Sequence, residues 1–308
     1  MTALSSVRKV PNFLILGPPK TGTTSLYFYV RQHPQIFMSR KKEPRFISSQ
    51  VTPFPLNGPR DHRVEAWYVK RYQDYEKLFH DAEGYPAVGE SSADTLYFYK
   101  DTIPVIKHYL GNPKIIIMLR HPVKRAFSAY QHLVRDQREH LSFEEGLREE
   151  PERIRKNWEL IYHYTAGSLY YESVKAFLDN FDKVKVILTE DQDTRPQQTV
   201  RDVFRFLGVD PDVEVNTDLR FNISGKPKSQ WVHEFFFEGN MARRLAQPIV
   251  RKLLKPETRL RIAQKIQEKN LTRLAINPET RERLQRYFED DIRKLETLLN
   301  RDLSRWRR

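Results

Sequence analysis

The sequence predicts an α/β fold: a parallel central sheet flanked by helices in a three-layer α/β/α arrangement, with a C-terminal helical portion. Three observations carry that expectation. Asn12-Phe13-Leu14-Ile15-Leu16 runs into Gly17-Pro18-Pro19-Lys20-Thr21-Gly22-Thr23-Thr24-Ser25, which reads as a buried strand, a turn and the start of a helix. Ile115-Ile116-Ile117-Met118-Leu119 is a second continuous apolar run, as a strand covered on both faces requires. Strand-like and helix-like segments then alternate, the pattern of parallel strands joined by crossover helices.

The elements follow in order. Phe13 to Leu16 is the first strand, and a helix begins near Thr23. The segment from Val51 to Arg63 is rich in Pro and polar residues and reads as an exposed loop. Ile115 to Leu119 follows Asn112-Pro113 as the next clear strand, and a helix carrying Arg125 and Ser128 starts after Arg120-His121-Pro122. Val184 to Leu188 is the third. From Thr199 to Leu207, Val200, Val203, Phe204 and Leu207 share one helical face, and Gly208 stops the helix. From Glu279 to Leu299, Leu284, Tyr287, Phe288, Ile292, Leu295 and Leu299 mark a long amphipathic helix. Residues 1–9 are expected to be a flexible N-terminus and 10–308 a single domain, because no repeat or low-complexity linker divides the chain.

The turn after the first strand is nearly a Walker loop, hence a P-loop-like fold. Gly17 and Gly22 have the G-x-x-x-x-G spacing, but Thr23 stands where the Walker pattern needs Lys, and the loop's Lys20 comes three positions earlier. Without that Lys the loop is poorly built for a triphosphate. It still suits a shorter anion. Gly22 permits close backbone approach, the N–H groups of Gly22, Thr23 and Thr24 belong to a helix N-terminus, and the hydroxyls of Thr23, Thr24 and Ser25 add donors. A plain helix cap is the alternative, but it leaves two Gly and a Lys in eight residues unexplained.

A second anion site is expected beside the second apolar run. Arg120 at the strand's C-terminal end and Ser128 in the following helix combine a guanidinium fork with a hydroxyl, a good receptor for a phosphate. Both belong to the sheet edge where open α/β folds bind ligands.

With these residues in view, the chain resembles the sulfotransferases that use 3′-phosphoadenosine 5′-phosphosulfate (PAPS). Pro19-Lys20-Thr21-Gly22-Thr23-Thr24-Ser25 is similar to their 5′-phosphosulfate loop. Leu119-Arg120-His121-Pro122-Val123-Lys124-Arg125-Ala126-Phe127-Ser128-Ala129-Tyr130 is similar to their 3′-phosphate motif. The likeness extends through His33-Pro34-Gln35-Ile36, Trp67-Tyr68, Gly167 with Tyr170, Phe206-Leu207-Gly208-Val209 and Leu303-Ser304-Arg305-Trp306. Within that family it most resembles the branch of heparan sulfate sulfotransferases and their bacterial relatives.

The resemblance implies roles. Lys20, Thr21, Gly22, Thr23, Thr24 and Ser25 hold the 5′-phosphosulfate, and Arg120 and Ser128 hold the 3′-phosphate. Glu43, in Lys41-Lys42-Glu43-Pro44-Arg45-Phe46, takes the place of the family's general base, with Lys20 as the catalytic cation. Neighbouring Lys42 and Arg45 lower its pKa while burial raises it, and sequence cannot rank the two. A solvated charge run is the bland alternative for that segment. In Glu90-Ser91-Ser92-Ala93, relatives carry Lys where this chain has Ser91, so one cationic contact is absent there. Glu90, Ser91, Trp67 and Tyr68 are candidates for binding the acceptor. Phe46, Tyr97 and Tyr99 can stack on a sugar or belong to the core. In Asn222–Ser229, a basic loop carrying Gly225, Lys226 and Lys228 is expected to cover the nucleotide as a lid.

Composition bounds the partners. The chain has 308 residues, and its 53 Lys and Arg against 40 Asp and Glu give a net charge of +13, which favours anionic ligands. The expected ligands are PAPS, its product 3′-phosphoadenosine 5′-phosphate (PAP), and an acceptor that is an anionic glycan or a small metabolite. Nucleic acid is not expected, because the basic residues are dispersed and no nucleic-acid-binding signature is present. There is no Cys and no metal-ligand motif, so no metal is expected. No apolar stretch approaches the ~20 residues needed to span a bilayer, and Met1–Val10 has no apolar signal core, so a cytoplasmic location is expected. A P-loop small-molecule kinase and a non-catalytic nucleotide- or glycan-binding relative are the alternatives.

Overall fold

The computed structural model describes residues 10–218, 226–227, 271–272 and 274–307. Five strands, β1 (Phe13–Leu16), β2 (Ile36–Met38), β3 (Ala87–Ser91), β4 (Lys114–Leu119) and β5 (Val184–Leu188), form one sheet. Every pairing in it is parallel, in the order β2-β3-β1-β4-β5. The connection leaving β1 leads to one side of the sheet and that leaving β4 leads to the other. Ligands of open parallel sheets bind where that reversal occurs, outside the C-terminal ends of the strands.

Among the described residues the helices are α1 (Thr23–Val30), α2 (Phe46–Ser49), α3 (Asp61–Glu65), α4 (Tyr72–Glu76), α5 (Tyr99–Leu110) and α6 (Pro122–Arg135). They continue as α7 (Phe143–Arg155), α8 (Tyr171–Asn180), α9 (Thr189–Thr194), α10 (Pro196–Leu207) and, near the C-terminus, α11 (Pro278–Leu299). Successive strand residues point to opposite faces. Leu14, Leu16, Ile115, Ile117 and Leu119 therefore meet Ile106 of α5, Ala126 and Leu133 of α6, Phe177 of α8 and Phe288 of α11. Phe13, Ile15, Ile116 and Met118 meet Leu26 and Val30 of α1 and Val203 and Phe204 of α10. Each of the larger side chains among them contributes about 1.5–3 kcal/mol by leaving water. These two apolar layers make the fold three-layered, as the sequence predicts.

The three expected strands and the helices ending at Leu207 and Leu299 are present. The sequence did not mark β2, whose three residues carry no periodicity. The C-terminal helix joins the core: Asp291 of α11 accepts the Tyr170 and Tyr171 N–H groups at 2.8 and 3.1 Å, and Trp306 is buried against His121 and Tyr170.

Two loop expectations change. The segment from Val51 to Arg63 is pinned rather than merely exposed. Asp61, at the start of α3, is fully buried and accepts from Gly58 N, Glu159 N and Arg138. Within the expected basic lid, Lys226–Pro227 forms a short strand (β6) pairing antiparallel with Leu271–Thr272 (β7). Gly225 and Lys228 lie outside the described residues, as does the expected flexible N-terminus. Among the described residues no helix is long and apolar enough to cross a membrane.

Candidate active site

The loop after β1 is shaped by its backbone. Gly17 has φ +144°, and a Cβ there would stand 2.3 Å from the Met118 carbonyl oxygen. Gly22 has φ +90° and is the N-cap of α1, whose first turn receives no side-chain cap. Lys20, between them, has φ +82°. A non-glycine residue there is uncommon and strained, and such strain gathers where a site must be held in advance of its ligand.

The loop is braced from beneath. Thr21 is buried and donates to Pro18 O at 2.8 Å, so its hydroxyl serves the loop's own fold. The Thr21 carbonyl accepts from Thr189 Oγ1 at 2.6 Å, and Gly22 O accepts from Gln192 Nε2 at 3.4 Å. Arg120, at the end of β4, donates to the Lys20 carbonyl at 3.1 Å, while its own carbonyl accepts from Tyr170 Oη at 2.9 Å. The first turn of α1 thus presents its amides over a floor built from the end of β4, the start of α9 and the N-cap of α8.

In front of that turn lies a cavity of about 510 Å³. Pro19, Lys20, Thr23, Thr24 and Phe28 form one wall, and Lys42, Glu43 and Arg45 form another. His132 and Asp136 of the α6 end close a third side, with Arg138, Glu159 and Ile161 deeper in and Arg63, Val64 and Trp67 at the α3 side.

Glu43 is not a solvated charge. Its Oε2 accepts from Arg45 Nε at 3.0 Å and from Ala93 N at 3.3 Å, and its Oε1 lies 3.4 Å from Lys42 Nζ. Burial pushes the carboxyl up, but the Lys42 and Arg45 cations and the Ala93 amide overcome it and hold the pKa at about 2. The two opposing effects left open by the sequence are thereby ranked. Arg45 also donates to Glu159 Oε1 at 3.1 Å, and Glu159 Oε2 accepts from Arg138 Nη2 at 2.7 Å. With Asp61, these residues form a buried alternating chain of charges that fixes Arg45 and Arg138.

Lys20 faces His132. Its Nζ lies 3.4 Å from His132 Nδ1, which also accepts from Arg135 Nη2 at 2.7 Å. A nitrogen that accepts from a guanidinium carries no proton, so the ring proton is on Nε2, 3.3 Å from Asp136 Oδ2. Burial, Arg135 and Lys20 all keep His132 neutral, well below its usual range. Burial first, then Arg135 and Arg120, holds the Lys20 ammonium well below its ordinary pKa. An anion arriving here would reverse that shift.

The structure brings some expected residues together and separates others. Lys20, Thr23, Thr24, Glu43 and Trp67 share the cavity. Gly22 and Ser25 flank it as the N-cap and first turn of α1. Arg120 and Ser128 belong to the β4–α6 side, with Ser128 buried in α6, and neither is part of the cavity wall. Lys226 opens β6, which runs beside α6. Glu90, Ser91 and Tyr68, expected beside the acceptor, do not line the cavity. Glu90 and Ser91 finish β3 inside the protein, Glu90 accepting from Ser92 Oγ at 2.8 Å. Tyr68 is buried, donates to Asp94 Oδ2 at 2.9 Å and supports the Arg45 guanidinium, 5.2 Å from its ring. Phe46 is core, stacked on Tyr75. Trp67 alone of the expected aromatics is well exposed, at 58%.

His132, Asp136, Arg138 and Glu159 are cavity residues that the sequence reading missed. His132 carried a signal, since it lies four residues after Ser128 and seven after Arg125, on the same face of α6. Arg138 and Glu159 carried none, because their pairing closes only in the fold. Among the described residues no group of three or more His, Asp or Glu side chains is placed to hold a metal.

Comparison with known proteins gives a consistent picture. A family model described as the sulfotransferase family matches residues 11–213. The chain is 27% identical over 233 residues to the bifunctional heparan sulfate N-deacetylase/N-sulfotransferase 2 of Bos taurus, covering 70% of this chain and 24% of that protein. It is 36% identical over 124 residues to the membrane-associated sulfotransferase kil1 of Dictyostelium discoideum, covering 39% of this chain and 22% of that one. The chain thus spans under a quarter of the length of these curated relatives. The crystal structure of a sulfotransferase from Alicyclobacillus acidocaldarius superposes with a TM-score of 0.76 and 37% identity, covering 97% of this chain and 99% of that one.

Proposed function

Because the chain belongs to the sulfotransferase family, we propose that it moves a sulfuryl group from PAPS to an acceptor hydroxyl or amine, in line, with Glu43 as general base. The observation that carries this reading is one cavity with a strained, cationic phosphate loop on one wall and an ionised carboxylate on another.

PAPS supplies a sulfuryl group whose bond to the 5′-phosphate oxygen breaks as a bond to the acceptor oxygen or nitrogen forms. The residues present suit such a donor. The uncapped first turn of α1 offers its amides to the 5′-phosphate. Lys20 gives its ammonium to the oxygen that gains charge on departure, which electrostatic preorganisation makes effective. Thr23 and Thr24 add hydroxyls at the cavity wall. Thr21 contributes through backbone shape. Arg120 and Ser128 take the 3′-phosphate beside β4, with Lys226 and its neighbours Gly225 and Lys228 completing that end of the nucleotide.

Glu43 removes the acceptor proton as the nucleophile attacks. Its pKa of about 2 makes it a weak base that is always ready, since it is ionised at any working pH. His132, neutral and bonded to Lys20, steadies the ammonium. Trp67 and Arg63 at the cavity side suit an acceptor with an apolar face and negative charge, such as an acidic sugar or a small anionic metabolite. A cytoplasmic location remains part of the proposal, and cell fractionation checks it.

The test is calorimetric titration with PAP, AMP and ATP in the absence of metal, followed by turnover of PAPS against a panel of sugar and small-molecule acceptors. PAP is expected to bind in preference to AMP and ATP, and Arg120→Ala to lose most of that preference. Preference for ATP with Mg²⁺, or no response to PAP, would overturn the donor assignment.

A further inference from the structure

Among the described residues the cavity carries four cations besides Lys42. Arg45 is held by Glu43, Glu159 and Tyr68 Oη, the last at 3.3 Å. Arg138 is held by Asp61, Glu159 and the Pro59 carbonyl. Lys20 faces His132, and Arg63 lies at the outer α3 side. Lys42 differs. Its side chain is only 11% exposed, yet among the described residues its ammonium pairs with Glu43 Oε1 alone, at 3.4 Å. An ammonium has three donors, so beside that contact Lys42 has N–H groups to offer a ligand in the cavity it lines.

Its position is also specific. Lys42 Nζ stands 5.7 Å from the ring centroid of Tyr27, a residue of α1, and 3.4 Å from Glu43 Oε1 on its own wall. It therefore bridges the helix that starts at the phosphate loop and the carboxylate proposed to receive the acceptor's proton. In the in-line arrangement the transferring group must lie between those two walls. Three peripheral oxygens there carry negative charge and need donors. The β3 end cannot provide a cation, because Ser91 stands there and is buried away from the cavity.

We propose that Lys42 is a catalytic residue that donates to the peripheral oxygens of the sulfuryl group, leaving the phosphate to Lys20 and the α1 turn. The proposal rests on the PAPS reading above and adds a division of labour to it. Lys20 and the loop recognise what PAP and PAPS share, and Lys42 recognises the group that only PAPS carries. The contact is electrostatic and forms no bond to sulfur.

Binding alone can test this, without an identified acceptor. Affinities for PAP and PAPS are measured by calorimetry on the full chain, for wild type, Lys42→Met and Lys42→Arg. Lys42→Met is expected to weaken PAPS about tenfold, the size of one charge-assisted hydrogen bond, while PAP affinity stays as in wild type. Lys42→Arg should recover much of the loss. Equal weakening of both ligands would make Lys42 a nucleotide contact, and no weakening of PAPS would make it an acceptor or structural residue; either result overturns the proposal. Failure of wild type to bind PAP would instead sink the donor reading, so the two failures are distinct. Thermal melts check folding, and Lys42→Gln replaces Lys42→Met if the latter does not fold.

Discussion

Glu43 and Arg45 meet across the single residue Pro44, with Arg45 Nε donating to Glu43 Oε2 at 3.0 Å. The same guanidinium reaches Glu159 at 3.1 Å, so the proposed base is tied to a buried charge chain rather than to solvent. Removing either partner of such a pair leaves the other uncompensated.

The first prediction concerns this base. Glu43 has a folded pKa of about 2 against an ordinary 4.5, so its ionised form adds stability above pH 4.5 that is lost as pH falls toward 2. The profile of kcat/KM should then show no acid limb from this group between about pH 4 and 7. Glu43→Gln should lower kcat by ~10²–10⁴-fold while PAP still binds. An acid limb near neutrality in wild type would move the base elsewhere.

The second concerns Lys20. Burial, Arg135 and Arg120 depress its pKa in the free protein, and a bound anion raises it again. PAP binding should therefore take up a proton at alkaline pH, where free Lys20 has lost it. Calorimetry in buffers of different ionisation enthalpy measures that uptake, and Lys20→Met should abolish it. Binding without proton uptake anywhere in the alkaline range would contradict the assignment.

The third is a stability effect away from the cavity. Burial, with Asp94 and Glu43 assisting, drives Glu90 up to about 8 from 4.5 despite the Ser92 hydrogen bond. A carboxyl whose folded pKa is raised supports the fold below pH 4.5, and that support fades as pH rises through 8. Glu90→Gln keeps the neutral shape. Its unfolding free energy should fall less than wild type's between pH 5 and 8, the gap reaching the order of a few kcal/mol. Parallel curves for the two proteins would show that Glu90 is ionised in the fold.

The fourth links the C-terminal helix to the nucleotide. Tyr170 Oη donates to the Arg120 carbonyl at 2.9 Å, and Asp291 of α11 holds the Tyr170 backbone. Tyr170→Phe deletes one hydrogen bond and should weaken PAP about three- to tenfold, with little change in kcat at saturating PAPS. A fall in kcat without a change in PAP affinity would argue against this positioning role.

Much of this architecture is legible in the chain. The phosphate loop needs two glycines at positive φ, a lysine and an uncapped helix start, all within a few residues of one another. The parallel sheet announces itself because β1 and β4 are buried on both faces and so read as unbroken apolar runs. The long C-terminal helix shows a clear apolar stripe. Trp67 is less legible: the same residue type, as Trp306, is buried core.

What the sequence determined by itself is therefore local: the strand, the loop, the helix start and the helical periodicities, each set by neighbours in the chain. Tertiary structure decided the electrostatics. Arg45 and Glu159 are 114 positions apart and Arg138 and Asp61 are 77 apart, yet these pairs fix the cavity's charges. It also decided that Glu43 is ionised, that Glu90 is not a cavity carboxylate, and that Lys42 faces the loop wall. The physical reason is that burial and charge proximity act through space, and their balance exists only once the chain has closed around the site.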